Sequence, residues 1–268
     1  MPSGDILLMR VDVYLAAAGY TVSRKKAQDL IDAGAVRIDG VTVKKSSSPI
    51  NENIPHDVAI EQVFPYVSRG GVKLEAALDA FKINVNRKKA VDVGASTGGF
   101  TDCLLSRGIA EVYAIDSGKD QLHESLRADK RVHSVESFNA RELNTDITNG
   151  ECDIAVADLS FISQTYVIPQ IASVLAEGGI FVSLIKPQFE AGRSALNKSG
   201  VVTNSAYRFL AVKRVVNSAL ENGFDCIGLI LSPIEGGDGN KEYLAYFVKK
   251  SCLKPKIDDK FIKRITML

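Results

Sequence analysis

The chain has 268 residues, 46% of them hydrophobic, with 33 lysines and arginines against 32 aspartates and glutamates. That length suits one large domain, or one domain plus a small module, and the apolar share can fill a sizeable core. A net charge of +1 excludes a uniformly basic polyanion binder, so affinity for nucleic acid must come from local patches.

The opening residues, MPSGDILLMRVD, carry no basic stretch ahead of their short apolar run, unlike an export signal. No apolar stretch approaches the ~18 residues of a membrane span, so a cytoplasmic protein is expected. From residue 9, Val11, Leu15 and Ala18 recur at helical spacing and Gly19 ends the pattern. Ser23 is placed to cap a second helix, RKKAQDLIDAG, with Ala27, Leu30 and Ile31 on one face and Gly34 as its stop. AVRIDGVTVKK then alternates around Asp39-Gly40, a hairpin signal. Several basic residues flank the start of the second helix, where the dipole also favours phosphate.

These elements, with R-x-D-x-x-L and SRKKAQDLIDAGAVRIDG, resemble the S4 RNA-binding domain over roughly residues 9 to 62. The resemblance implies a grip on structured RNA by backbone shape, with Arg10, Arg24, Lys25 and Lys45 as phosphate contacts. The polar stretch SSSPINENIPHD follows, VAIEQV reads as a returning strand, and FPYVSRGG reads as the joint. The domains expected are therefore 1–62 for RNA, 63–69 as linker and 70–268 for catalysis.

After an amphipathic KLEAALDAF, strands and helices alternate from residue 89. Strands are expected at 89–94, 110–116, 132–136, 153–158, 179–185, 226–232 and 242–248, and helices at 99–107, 119–128, 163–175 and 204–222. The last two strands read as an antiparallel hairpin at one edge. The pattern predicts an α/β, doubly wound, mostly parallel seven-stranded sheet with ligands at the carboxyl ends of its strands.

VDVGASTGGFTD, residues 91–102, ends the first of these strands in a glycine turn. It lacks the Lys-Ser/Thr of a triphosphate loop and the glycine spacing of a dinucleotide fingerprint. Asp92 lies inside the turn's strand, Asp116 ends the next strand, and Asp158 ends the fourth. Carboxylates without a nearby Lys or Arg suit a cationic ligand and repel a pyrophosphate. S-adenosylmethionine fits, with Gly94, Ala95, Ser96, Thr97, Gly98 and Gly99 around it, Asp92 and Asp158 near it, and Asp116 on its ribose.

The fourth strand runs into ADLSFIS, not the Asn/Asp-Pro-Pro-aromatic run of amine methylation, and no cysteine follows a proline in a loop. A ribose hydroxyl instead needs positioning and a proton acceptor. Lys73, Asp158, Lys186 and Glu242 offer lysines for that and carboxylates to orient them. Cys103, Cys152, Cys226 and Cys252 form no C-x-x-C pair or zinc cluster, so they read as buried thiols and no metal is expected. His56, His123 and His133 receive no role.

DVGASTGGFTDCLL resembles the donor motif of RNA ribose methyltransferases, and the K-D-K-E order resembles the tetrad of the FtsJ/RrmJ class. Together with the S4 module, YVSRGGVKL, IKPQFEAGR and GNKEYL, the whole chain resembles the TlyA family, often labelled hemolysin A. That resemblance implies a Rossmann-type methyltransferase preceded by a small α+β S4 domain. It implies S-adenosylmethionine-dependent 2′-O-methylation of cytidine in ribosomal RNA, with Lys186 as proton acceptor and Asn139 as a further donor contact. Its partners would be ribosomal RNA or ribosomal subunits, not DNA or a membrane. A basic tail with Lys260, Lys263 and Arg264 favours action on both subunits' RNA, although the opening residues do not. Two competing classes are an RNA-binding protein with an inactive methyltransferase-like domain and a membrane-lytic protein.

Overall fold

The computed structural model describes residues 8–32, 34–60, 64–236, 239–250 and 257–268. The end of the expected strand 58–63, the middle of the 235–240 loop, the start of the tail, and Cys252 lie outside these. The chain divides into two compact units, Met1–Arg69 and Gly70–Leu268.

The first unit runs β1 (Leu8–Arg10), α1 (Val11–Ala17), α2 (Arg24–Asp32), β2 (Val36–Ile38), β3 (Val41–Thr42), β4 (Pro49–Asn51) and β5 (Val58–Ile60). Val11, Leu15, Ala27, Ile31, Val36 and Ile50 form its small core. Ala18 lies past the end of α1 and is exposed, because the helix stops one residue earlier than the apolar spacing predicts. Ser23 Oγ accepts from Lys26 N at 3.2 Å, the expected cap of α2. Asp39 and Gly40 both hold positive φ, 51° and 78°, as a two-residue hairpin turn with right-handed twist requires.

The second unit begins with α3 (Gly70–Phe81) and continues β6 (Lys89–Val93), α4 (Gly99–Ser106), β7 (Glu111–Ile115), α5 (Glu124–Arg127) and β8 (Val132–Val135). Then come β9 (Cys152–Ala157), α6 (Ile168–Val174), β10 (Leu175–Ile185), α7 (Pro187–Glu190), α8 (Ser205–Glu221), β11 (Phe224–Leu231), β12 (Tyr243–Lys249) and α9 (Asp259–Met267). Among the described residues these strands form one sheet in the order β11-β12-β10-β9-β6-β7-β8. β10, β9, β6, β7 and β8 pair in parallel, while β12 runs antiparallel to both β10 and β11. The central strands are apolar without alternation: Ala90, Val91 and Val93 in β6, and Ile154 to Ala157 in β9, are fully buried. That is the signature of strands covered on both faces.

The chain builds outward from β6 through β7 to β8, then crosses back to lay β9 on the other side of β6. The switch leaves a crevice at the carboxyl ends of β6 and β9. β12 runs backwards, so its amino end reaches the same rim.

Three expected elements are cut differently. The helix at 119–128 is only α5, and 163–175 is a 3₁₀ turn at Gln164–Tyr166 followed by α6. β10 starts at Leu175 and shifts register before Ile180, around Gly178 with φ 75°. The expected tail helix is α9: Asp258 Oδ1 accepts from Phe261 N at 2.8 Å. Ile262 and Thr266 are buried, and Lys260, Lys263 and Arg264 are exposed.

Candidate functional site

Where β6 ends, Gly94 N and Ala95 N both donate to Ile115 O, at 2.8 and 3.0 Å, which ties the turn to the end of β7. Gly94 holds φ 85°, and a Cβ there would stand 2.7 Å from the main-chain oxygen of Asp158. Only glycine lets the β6 turn and the β9 loop approach this closely. Ser96 N donates to Asp116 Oδ2 at 2.8 Å, and Gly118 N to its Oδ1 at 2.6 Å. Asp116 is thus fixed at the rim by main-chain donors. Thr97 O accepts from His123 N, and Gly98 and Gly99 lead into α4.

Asp92 lies beneath the turn, fully buried. Its Oδ2 accepts from Thr101 Oγ1 at 2.7 Å, and its Oδ1 has no hydrogen-bond partner among the described residues. Burial, opposed by the Thr101 bond and assisted by Asp158 and Asp116, pushes this carboxyl up to about 7 from 3.8. A cation at the turn would relieve that penalty, so the residues present fit a positively charged ligand. The native protein binds the Asp92 proton more tightly than the unfolded chain does. Unfolding stability without ligand should therefore fall as pH rises between roughly 4 and 7, by up to about 1.4 kcal/mol per unit. Asp92→Asn should flatten that slope in urea titrations. An unchanged slope would show that Asp92 titrates normally.

The four predicted lysines and acids are brought to the rim as two ion pairs. Lys186 Nζ lies 2.5 Å from Asp158 Oδ1 and donates to Ser160 Oγ at 2.9 Å. Lys73 Nζ lies 2.5 Å from Glu242 Oε2, with side-chain exposures of 4% and 2%. Asp158 N donates to Val93 O, which fixes the β9 loop beside the glycine turn. Ile185 pairs with Tyr243, so Lys186 and Glu242 occupy the next positions, just beyond the ends of neighbouring strands. Asn139 caps the 3₁₀ turn Ala140–Glu142, its Oδ1 accepting from Arg141 N at 3.1 Å. Its side chain is therefore already engaged, which the sequence did not indicate.

One aromatic stands apart beside the Lys186 pair. Phe161 is 93% exposed, holds φ 65°, and lies 5.2 Å from the Phe189 ring. A bulky residue in the left-handed region is strained, and such strain concentrates at functional sites.

In the first unit the predicted RNA contacts are organised by a residue that helical periodicity hides. Asp12 is fully buried and accepts from Arg10 Nε at 2.9 Å, Arg24 Nη2 at 3.2 Å and Gln28 Nε2 at 2.7 Å. Arg10 and Arg24 still expose about half of their side chains, 47% and 55%. The arginines hold the Asp12 carboxyl well below its ordinary value, the Arg10 bond contributing most. Lys25 is drawn onto Asp29 at 3.0 Å one turn along α2, and Lys45 is exposed.

Residues 66–249 match the family profile described as FtsJ-like methyltransferase, and residues 9–53 match the S4 domain. The chain belongs to the FtsJ-like methyltransferase family. This FtsJ-like methyltransferase is 44% identical over 241 residues to Hemolysin A of Brachyspira hyodysenteriae, covering 90% of this chain and 100% of that one. It is 42% identical to the 16S/23S rRNA (cytidine-2'-O)-methyltransferase TlyA of Mycobacterium tuberculosis strain H37Rv, covering 88% of each chain. A solved structure from Streptococcus thermophilus, named as a hemolysin, is 38% identical with a TM-score of 0.77, covering 98% of this chain and 95% of that one. Among the described residues no group of His, Cys, Asp and Glu could hold a metal ion. Cys103, Cys152 and Cys226 are buried thiols, as expected.

Proposed function

We propose that this FtsJ-like methyltransferase transfers a methyl group from S-adenosylmethionine to the ribose 2′-hydroxyl of a cytidine in ribosomal RNA. One observation carries the reading. The glycine turn abuts the main chain of Asp158, and the Asp158 carboxylate holds Lys186 Nζ at 2.5 Å. Donor turn and proton acceptor are thereby adjacent parts of one crevice. The substrate follows from the name of the mycobacterial relative and from the S4 unit.

S-adenosylmethionine, when bound, supplies a methyl group on a positively charged sulfur. Gly94 to Gly99 would line its site, Asp116 would take its ribose hydroxyls, and Asp92 and Asp158 would face its cationic end, with Asn139 at the margin. Lys186, in its neutral form, accepts the 2′-hydroxyl proton as the oxygen attacks. Asp158 and Ser160 hold its nitrogen in place, and Lys73 with Glu242 forms the second half of the set. Phe161 offers a face on which an unpaired base can stack while its ribose enters the crevice. Arg10 and Arg24, held by Asp12, together with Lys25 and Lys45, would contact RNA phosphates.

Incubation with donor and each ribosomal subunit, followed by mapping of ribose methylation, tests the reading. Methyl transfer to a base, or to no RNA, would refute it. Among the described residues no helix is long and apolar enough to cross a membrane. Asp116→Ala should weaken donor binding by about 1–3 kcal/mol, as charge-assisted hydrogen bonds are lost. Calorimetry showing unchanged affinity would remove Asp116 from that role. Replacing Arg10, Arg24 and Lys45 with alanine should lower RNA affinity and flatten its dependence on salt, each lost phosphate contact reducing the slope by roughly 0.7–0.9. An unchanged slope would move RNA binding off this face.

A further inference from the structure

Between the loops that follow β9 and β10 lies a polar cluster that takes no direct part in the proposed reaction. Ser163, Gln164, Ser183 and Glu190 are all buried. Glu190 ends α7, four residues after Lys186. Its Oε2 accepts from Ser163 Oγ at 2.5 Å, and its Oε1 from Gln164 N at 2.8 Å. Gln164 donates through Nε2 to Leu184 O at 2.6 Å and accepts through Oε1 from Ser183 Oγ at 2.5 Å. Ser183 and Leu184 lie in β10 just before Lys186, while Ser163 and Gln164 open the 3₁₀ turn that follows Asp158.

The cluster therefore joins the segment bearing Asp158 to the segment bearing Lys186, from behind the ion pair. Burying a carboxylate is costly, and Glu190 gains only neutral donors on its side chain, since Arg214 donates to its main-chain carbonyl at 3.2 Å. An apolar residue of similar size would fill the space at lower cost. What the apolar residue would lack is a directed link to two main-chain segments.

We propose that Glu190 is a positioning residue for methyl transfer, a clamp that sets the approach of Lys186 to Asp158. The inference rests on the proposed reaction. Misplacement of a catalytic group by about 1 Å can cost on the order of 100-fold in rate. Glu190→Ala removes both links of the clamp. Glu190→Gln keeps them: its carbonyl oxygen still accepts from Gln164 N, and its amide donates to Ser163 Oγ, whose proton turns to Thr165 Oγ1 at 2.8 Å.

In single-turnover methylation by the full chain, Glu190→Ala should lower the rate roughly 10- to 100-fold, with donor and RNA dissociation constants unchanged. Glu190→Gln should restore most of the rate. A Glu190→Ala protein as fast as wild type would overturn the clamp. Equal losses of rate, donor binding and melting temperature in both variants would overturn it too, showing a purely structural role. Should Glu190→Ala fail to fold, Ser163→Ala, which cuts one link, carries the same comparison, and a wild-type rate there is the refuting result. Wild-type protein inactive on every RNA would refute the reaction rather than the clamp. Competitive acetylation then tests the clamp alone: Lys186 should react faster in Glu190→Ala than in wild type or Glu190→Gln, and equal reactivity in all three would overturn it.

Discussion

Lys186→Arg should abolish ribose methylation while leaving donor and RNA binding intact. Arginine keeps the positive charge and can still reach Asp158 and Ser160, both of which contact Lys186 Nζ. It cannot give up its proton near neutral pH, so it cannot accept one from a hydroxyl. General-base assistance is worth roughly 10²–10⁴-fold, and a loss of that size stands clear of assay error. Single-turnover rates isolate the chemical step from product release. A variant that turns over at a near-native rate would show that the position supplies charge alone.

Lys73→Met should destabilise the second unit by about 3–5 kcal/mol, the usual consequence of stripping one partner from a buried ion pair. Lys73 and Glu242 are almost wholly removed from solvent and lie 169 positions apart in sequence. Glu242 is 2% exposed, so turning away from Lys73 would not bring its carboxylate to water. Lys73→Met combined with Glu242→Leu should recover most of the loss, since an apolar pair of similar volume is often neutral. The double variant should nevertheless remain inactive. Urea unfolding followed by circular dichroism measures the first effect, and methyl transfer measures the second. A single variant as stable as wild type would mean that the pair is solvated in solution.

The sheet was legible in the sequence because its central strands are covered on both faces and read as apolar runs, unbroken at Ile154–Ala157 and broken at Ala90–Val93 by Asp92 alone. The same contrast exposed Lys186 and Asp158, charged residues that end such runs. Who pairs with whom was not legible, for nothing local couples Lys73 to Glu242. The helix expected at 119–128 shrinks because Glu136 accepts from the main-chain nitrogens of Asp120, Gln121 and Leu122, a cap supplied from 14 to 16 residues away. Asp12 and Glu190 fall inside R-x-D-x-x-L and IKPQFEAGR, yet neither received a role of its own, for a shared reason. An acid in the first or last turn of a short helix looks solvated, and only the folded chain shows the donors that bury it.

The two positive-φ glycines of the turn impose different histories on the gene. At Gly94 the obstacle to a side chain is main chain, the Asp158 carbonyl, so no substitution elsewhere can clear it. At Gly98 the obstacles are the methyl groups of Leu126 and Leu122, at 2.3 and 2.8 Å from a Cβ. Those can shorten, which leaves only the backbone strain of φ 97° to be met. Drift at codon 98 is thus conditional on codons 122 and 126, a three-way epistasis, whereas codon 94 is locked by the backbone that carries the proposed catalytic acid.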